Sequence, residues 1–252
     1  MHRLLNYCLI LFVISPAITA NAQTKPDIAP ESSSVETNLA VVPEIKNAKW
    51  WMPRHKEKLA ARKKMDRVDL LMIGDSITHS WENGGKNVWN KTYAHRNALN
   101  IGFSGDRTEN VLWRIQNGAV DDISPKLAVM MIGTNNAGHR NEKSEHTAEG
   151  IRVILDELKT RLPNTKVLLL GIFPRGATVD HPKRKLNDGT NKIIKGFADN
   201  ERVFFLDINE KFLETDGTLP KSIMPDLLHP NAKGYEIWAE AMEPMVKKLM
   251  GE

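Results

Sequence analysis

Five short apolar runs, at residues 68–73, 98–101, 127–132, 167–172 and 203–206, constrain the fold more than any other feature of the sequence. They are runs rather than in/out alternations, the pattern of strands covered on both faces. Helical periodicity fills the gaps between them. Ile151, Ile154, Leu155, Leu158 and Leu162 fall at i, i+3, i+4, i+7 and i+11, one apolar face that ends before Pro163. Tyr235, Trp238, Met242, Met245 and Leu249 repeat the pattern near the C-terminus. Asp106, with Glu109 three residues on, reads as a capping box for a helix over 108–117, and Gly118 reads as its stop. Strands alternating with helices imply a parallel sheet with right-handed crossovers, sandwiched between two helical layers. The expected architecture is therefore three-layer α/β/α, with no internal repeat and no second domain.

A hydrophobic content of 41% and a charged content of 26% permit a sizeable core of ordinary soluble type. The formal charge is only +4, and the cations are scattered without aromatic interleaving, so nucleic-acid binding has no support. The N-terminus reads as a targeting segment. His2 and Arg3 precede a mostly apolar stretch over 4–14, and Ala20-Asn21-Ala22 closes it, as in a secretory signal peptide spanning 1–22. A transmembrane anchor is the alternative, but the run is short of the roughly 20 residues a span needs. Export to a periplasm or the exterior is the expectation. The only cysteine, Cys8, lies inside that segment, so the mature chain would carry no disulfide, cysteine nucleophile or thiolate metal site. Residues 23–44, rich in Pro, Ser, Ala and Glu, read as a disordered spacer, with the folded domain at 45–252. Trp50, Trp51 and Met52 precede Pro53 at the start of a basic helix reaching about Lys64. The two tryptophans read as a packing anchor in preference to a sugar platform.

Chemistry-bearing residues gather at the ends of the predicted strands. Gly74-Asp75-Ser76 follows the first, and is either a plain turn or a nucleophile presented at a strand's carboxyl edge. Gly102-Phe103-Ser104-Gly105 follows the second and Gly133-Thr134-Asn135-Asn136 the third. Glycine N–H groups and an Asn amide in such loops can form an oxyanion hole, or can simply be turn chemistry. Before the last helix stands Asp226-Leu227-Leu228-His229-Pro230. An acid three residues ahead of a histidine can hold one imidazole nitrogen and leave the other free as a base. The remaining histidines, His55, His79, His95, His139, His146 and His181, lack metal-ligand spacing, so no metal is expected.

Taken together, these blocks resemble the SGNH (GDSL-type) hydrolase superfamily. Gly74-Asp75-Ser76 matches its nucleophile block, Gly105 its glycine donor, Asn135 its Gly-x-Asn donor, and Asp226 with His229 its Asp-x-x-His block. All four occur in order. Within the superfamily, the stretch from Asn100 to Gly118 and Gly133-Thr134-Asn135-Asn136 are most similar to the platelet-activating-factor acetylhydrolase catalytic-subunit family. The resemblance implies a flavodoxin-like fold and a serine esterase without metal or organic cofactor. Ser76 would attack an ester carbonyl, His229 take its proton and Asp226 orient His229. The oxyanion would be held by the N–H groups of Ser76 and Gly105 and by the Asn135 amide. The implied partner is a small-molecule or glycan ester, and a homodimer is compatible with the likeness. The export signal departs from those cytosolic proteins and directs the expected substrate toward acetylated carbohydrate. A lipid ester and a non-catalytic glycan-binding protein are the alternatives.

Overall fold

The structure, a computed structural model, describes residues 37–252; the expected signal peptide and residues 23–36 of the expected spacer lie outside them. Within the described chain, a 3₁₀ turn at Leu39–Val41 leads to α1, Trp51–Lys63, and then β1, Leu70–Gly74. There follow α2 (Ser76–His79), α3 (Lys86–Thr92), β2 (Ala98–Gly102), α4 (Thr108–Arg114) and β3 (Leu127–Met131). After them come α5 (Thr134–Arg140), α6 (Ser144–Arg161), β4 (Lys166–Leu170), α7 (Pro182–Ile194), β5 (Val203–Leu206) and α8 (Ala232–Met250). The five strands pair in parallel in the order β2-β1-β3-β4-β5. That is the flavodoxin-like order, which reverses direction between β1 and β3 and leaves a crevice outside the carboxyl ends of those strands.

Both sheet faces are apolar because both are covered, as the unalternating runs require. Leu71, Ile73, Leu99, Ile101, Ala128 and Met130 share one core with Val111 and Leu112 of α4 and Ile151, Ile154 and Leu158 of α6. Leu70, Met72, Leu127, Val129, Leu168 and Leu170 face the other, against Trp81, Tyr93 and the Tyr235, Trp238, Met242 and Val246 stripe of α8. Successive strand residues thus feed opposite layers.

Two expectations change. The compact unit that carries the sheet takes in the chain from Thr37, not from residue 45. Ala40 is fully buried, its carbonyl accepts from Thr108 Oγ1 at 2.9 Å, and the Glu44 carbonyl accepts from Asn110 Nδ2 at 3.0 Å. The capping box also differs: the N-cap of α4 is Arg107, whose N–H donates to Asn110 Oδ1 at 3.0 Å. Asp106 is fully buried and serves a different purpose, described below. Beyond α4 the helix loosens into a π-helical turn at Ile115–Ala119, where Gly118 takes a φ of 95° and stops it as expected.

Candidate active site

The site lies where the sheet order reverses. Gly74 and Gly102 are in register at the ends of β1 and β2, and α2 sits directly on them. A Cβ at Gly74 would stand 2.2 Å from Thr78 Oγ1 and 2.5 Å from the Met131 carbonyl oxygen; one at Gly102 would stand 2.4 Å from the His79 nitrogen. Neither glycine has a positive φ. Their role is therefore close approach, not an unusual turn. The chain itself turns at Asp75 (φ −102°, ψ −145°), whose Oδ1 accepts from Ile77 N–H at 3.0 Å and caps α2. Ser76 is the first residue of α2, so its N–H has no acceptor within the helix.

Ser76 Oγ lies 2.9 Å from His229 Nε2, and His229 Nδ1 lies 2.6 Å from Asp226 Oδ2. The other oxygen of Asp226 accepts from the N–H groups of Leu228 at 3.0 Å and His229 at 2.7 Å. Burial works against the Asp226 charge, but these hydrogen bonds from His229 and the backbone outweigh it and hold the carboxyl below its usual range. The turn that makes this possible places Leu227 at φ 59°, its N–H on the Met224 carbonyl and its carbonyl accepting from Gly176 N–H. Exposure runs opposite ways along the array. Ser76 is buried, while the side chains of His229 and Asp226 are 38% and 56% exposed.

The loop after β2 brings Gly105 beside the array, at a φ of +69° that glycine adopts without strain. Two groups fasten this loop to α2 and β1: Phe103 N–H donates to the Gly74 carbonyl at 3.1 Å, and Ser104 N–H donates to His79 Nδ1 at 3.3 Å. Asn135, at the start of α5, spends one amide hydrogen on the Asp106 carbonyl at 3.0 Å, which leaves its second for an oxyanion. Direct contacts thus join Ser76, His229 and Asp226 in a proton path from hydroxyl to imidazole to carboxylate, and Asn135 is tied to the Asp106 carbonyl next to Gly105. Such an array can attack an acyl carbonyl.

Several supporting residues escaped sequence reasoning. Asp106 pairs with Arg114 (Nε–Oδ2 2.9 Å) and accepts from Trp51 Nε1 at 2.7 Å, all three wholly buried. Burial raises the Asp106 carboxyl and lowers the Arg114 guanidinium, and their contact opposes both shifts. Arg114 and Arg54 also stand over the Phe103 ring, 4.0 Å and 5.0 Å from its centre. The tryptophan pair divides: Trp51 is the expected anchor, whereas Trp50 is 40% exposed. Asp75 is almost completely buried, and that burial, partly offset by the Ile77 hydrogen bond and the charge of His229, pushes its carboxyl up to about 7. Among the described residues no cluster of three or more His, Cys, Asp or Glu side chains could hold a metal ion.

The chain is similar to known proteins in sequence and in fold. The chain is 33% identical over 206 residues to the alpha1 subunit of platelet-activating factor acetylhydrolase IB from Homo sapiens, covering 80% of this chain and 85% of that one. It is 32% identical to the alpha2 subunit from Rattus norvegicus over 225 residues, 87% of this chain and 95% of that one. The fold is shared with a GDSL-like lipase from Bacteroides thetaiotaomicron, at a TM-score of 0.60 and 21% identity over 78% of this chain and 97% of that one. It is shared also with an acetylxylan esterase from Geobacillus stearothermophilus, at a TM-score of 0.58 and 20% identity over 75% and 97%. The pattern of the GDSL-like Lipase/Acylhydrolase family matches residues 72–237, a span that holds Ser76, Gly105, Asn135, Asp226 and His229. On that match, and on the parallel sheet that sets these residues at one edge, the chain belongs to the GDSL-like lipase/acylhydrolase family.

Proposed function

We propose that the protein is an exported serine esterase that removes short acyl groups, acetyl foremost, from carbohydrate esters. The observation that carries the catalytic part is the continuous contact Ser76 Oγ–His229 Nε2–His229 Nδ1–Asp226 Oδ2, at 2.9 and 2.6 Å. His229 takes the Ser76 proton as the oxygen attacks the ester carbonyl, and Asp226 stabilises the imidazolium that forms. The tetrahedral oxyanion is met by the N–H groups of Ser76 and Gly105 and by the free Asn135 amide hydrogen. Collapse expels the alcohol, which takes its proton from His229 and leaves an acyl-enzyme. His229 then deprotonates a water that attacks this ester, and the acid departs.

The acetyl preference is supported by the names of the relatives, an acetylhydrolase and an acetylxylan esterase. The carbohydrate and export parts rest on the signal-like N-terminus. A lipid ester is the second reading, favoured by the 33% identity to the platelet-activating factor acetylhydrolase subunit. One experiment addresses both: release of p-nitrophenol from esters of increasing acyl length, by the native protein and by Ser76→Ala. Native activity that peaks at acetate and vanishes in the variant is expected. Rising rates with chain length would transfer the assignment to lipid esters, and undiminished turnover in Ser76→Ala would refute the mechanism.

A further inference from the structure

Three cations crowd the oxyanion side of the site, and their hydrogen bonds go to neutral oxygens. Lys46 Nζ donates to the Gly105 carbonyl at 2.5 Å. Arg175 Nη1 donates to the Thr134 carbonyl at 2.7 Å and to Thr134 Oγ1 at 3.2 Å. Lys183 Nζ donates to the Gly138 carbonyl at 2.6 Å. The accepting residues belong to the Gly105 loop and to α5, the two elements that would hold the oxyanion. Among the described residues none of the three makes an ion pair with a carboxylate.

Acids are present nearby, but other groups hold them. Asp106 is taken by Arg114 and Trp51. Glu109 is taken by Arg107 and Arg140, Glu142 by Arg140, and Glu44 by Arg107. Asp226 is held by His229 and Asp75 caps α2, although both lie within the field of Arg175. Each lysine has three donors and uses one in these contacts, so the remainder are available. The cations are partly buried and the exposed His139 stands among them, its Cε1 3.8 Å from where a Cβ at Gly105 would be. The sum of their charges is felt there: burial, and then Lys46, Arg107, Arg175 and Lys183, push the His139 imidazole below its ordinary value. The acids around them, Asp106, Glu109 and Glu44 near Lys46 and Asp75 and Asp226 near Arg175, temper this field without closing an ion pair. Cations left without a direct carboxylate partner at the mouth of a cleft concentrate anions.

We propose that the natural substrate carries an anionic group, a carboxylate or a phosphate, and that Lys46, Arg175 and Lys183 bind it beside the oxyanion hole. This inference rests on the esterase reading above. An acetyl group bears no charge, so the anion belongs to the alcohol part: a uronic acid unit or a phosphorylated sugar.

The binding arm avoids catalysis. A hexuronate, a hexose phosphate and a neutral hexose are titrated into Ser76→Ala protein, followed by calorimetry. Saturable binding of the hexuronate or the phosphate, absent for the neutral sugar, weakened in Lys183→Gln and Lys46→Gln and restored in Lys183→Arg, is expected. Which of the two anions binds identifies the source of the charge. Equal binding of all three sugars, or none, overturns the proposal. The kinetic arm compares an O-acetylated hexuronate with its neutral methyl ester. The expected kcat/KM advantage for the charged substrate is at least about tenfold, carried mainly in KM and shrinking with added salt. An equal kcat/KM for the pair, with p-nitrophenyl acetate turned over normally, overturns the anion site and leaves the esterase intact. Failure on p-nitrophenyl acetate as well counts against the esterase.

Discussion

Asp75 stands one residue before the candidate nucleophile and lives in a different electrical world. It is buried and its carboxyl is pushed up to about 7, so the folded chain keeps a proton that the unfolded chain releases near its ordinary value. Where the native state binds more protons, stability falls as pH rises. The Asp75 contribution is thus most favourable at acid pH and is lost between about pH 4 and pH 7. Asp75→Asn cannot ionise and still offers an oxygen to Ile77 N–H. Its melting temperature should exceed the native one by more at pH 8 than at pH 4, and thermal unfolding at the two values checks this. A gap that widens toward acid would contradict the burial argument. Ser76, Asp226 and His229 were legible in the sequence because their signal is local: three residues at a strand end, and an acid and base three apart. The role of Asp106 was not, since its partners Trp51 and Arg114 lie 55 and 8 residues away and converge only in the folded core.

At the scale of elements, the five strands announced themselves because a strand buried on both faces needs an apolar run, and helical periodicity fills the gaps between these runs. Strand order was not readable from the runs themselves, since each could pair with any other; it came with the resemblance. The capping assignment for α4 failed for a physical reason. Asp106 suits a helix start, but its carboxylate is drawn into the core by Trp51 and Arg114, so the box shifts by one residue to Arg107 and Asn110. The seating of α2 was hidden too, because the glycine requirement at position 74 comes from space and not from φ. Gly74→Ala would force a methyl against Thr78 and against the Met131 backbone, which has little freedom to yield. Overpacking of this kind costs about 1–3 kcal/mol, and it displaces the helix that carries Ser76. Denaturant unfolding should show that loss together with a fall in kcat. A stability change within about 0.5 kcal/mol, the ordinary surface range, would mean that α2 adjusts freely.

Over the whole molecule, the compact unit takes in residues 37–44, which composition had placed in a spacer. Their anchorage combines one small buried side chain, Ala40, two side-chain contacts (Glu44 with Arg107, Asn38 with the His146 carbonyl) and hydrogen bonds from their backbone to α4: Ala40 and Glu44 carbonyls to Thr108 and Asn110, and Glu44 N–H to the Glu109 carbonyl at 3.1 Å. Backbone contacts leave no mark in a hydropathy pattern. A chain beginning at residue 45 should therefore unfold at lower denaturant than one beginning at 37, by at least about 1 kcal/mol given the buried partners left unpaired. Equal midpoints would return the segment to the spacer. The same view of the whole gives meaning to the distribution of the triad. Ser76 is seated in the sheet edge, while Asp226 and His229 occupy one half-exposed turn ahead of α8, 153 positions further along the chain from serine to histidine. Acid and base share that turn, and the bonds between them are local to it and need no partner in the sheet. Opening such a turn exposes far less apolar surface than melting the core. Inactivation and denaturation should therefore be separable: on heating, ester hydrolysis is expected to fade at a lower temperature than the one at which the core melts, and to return on cooling.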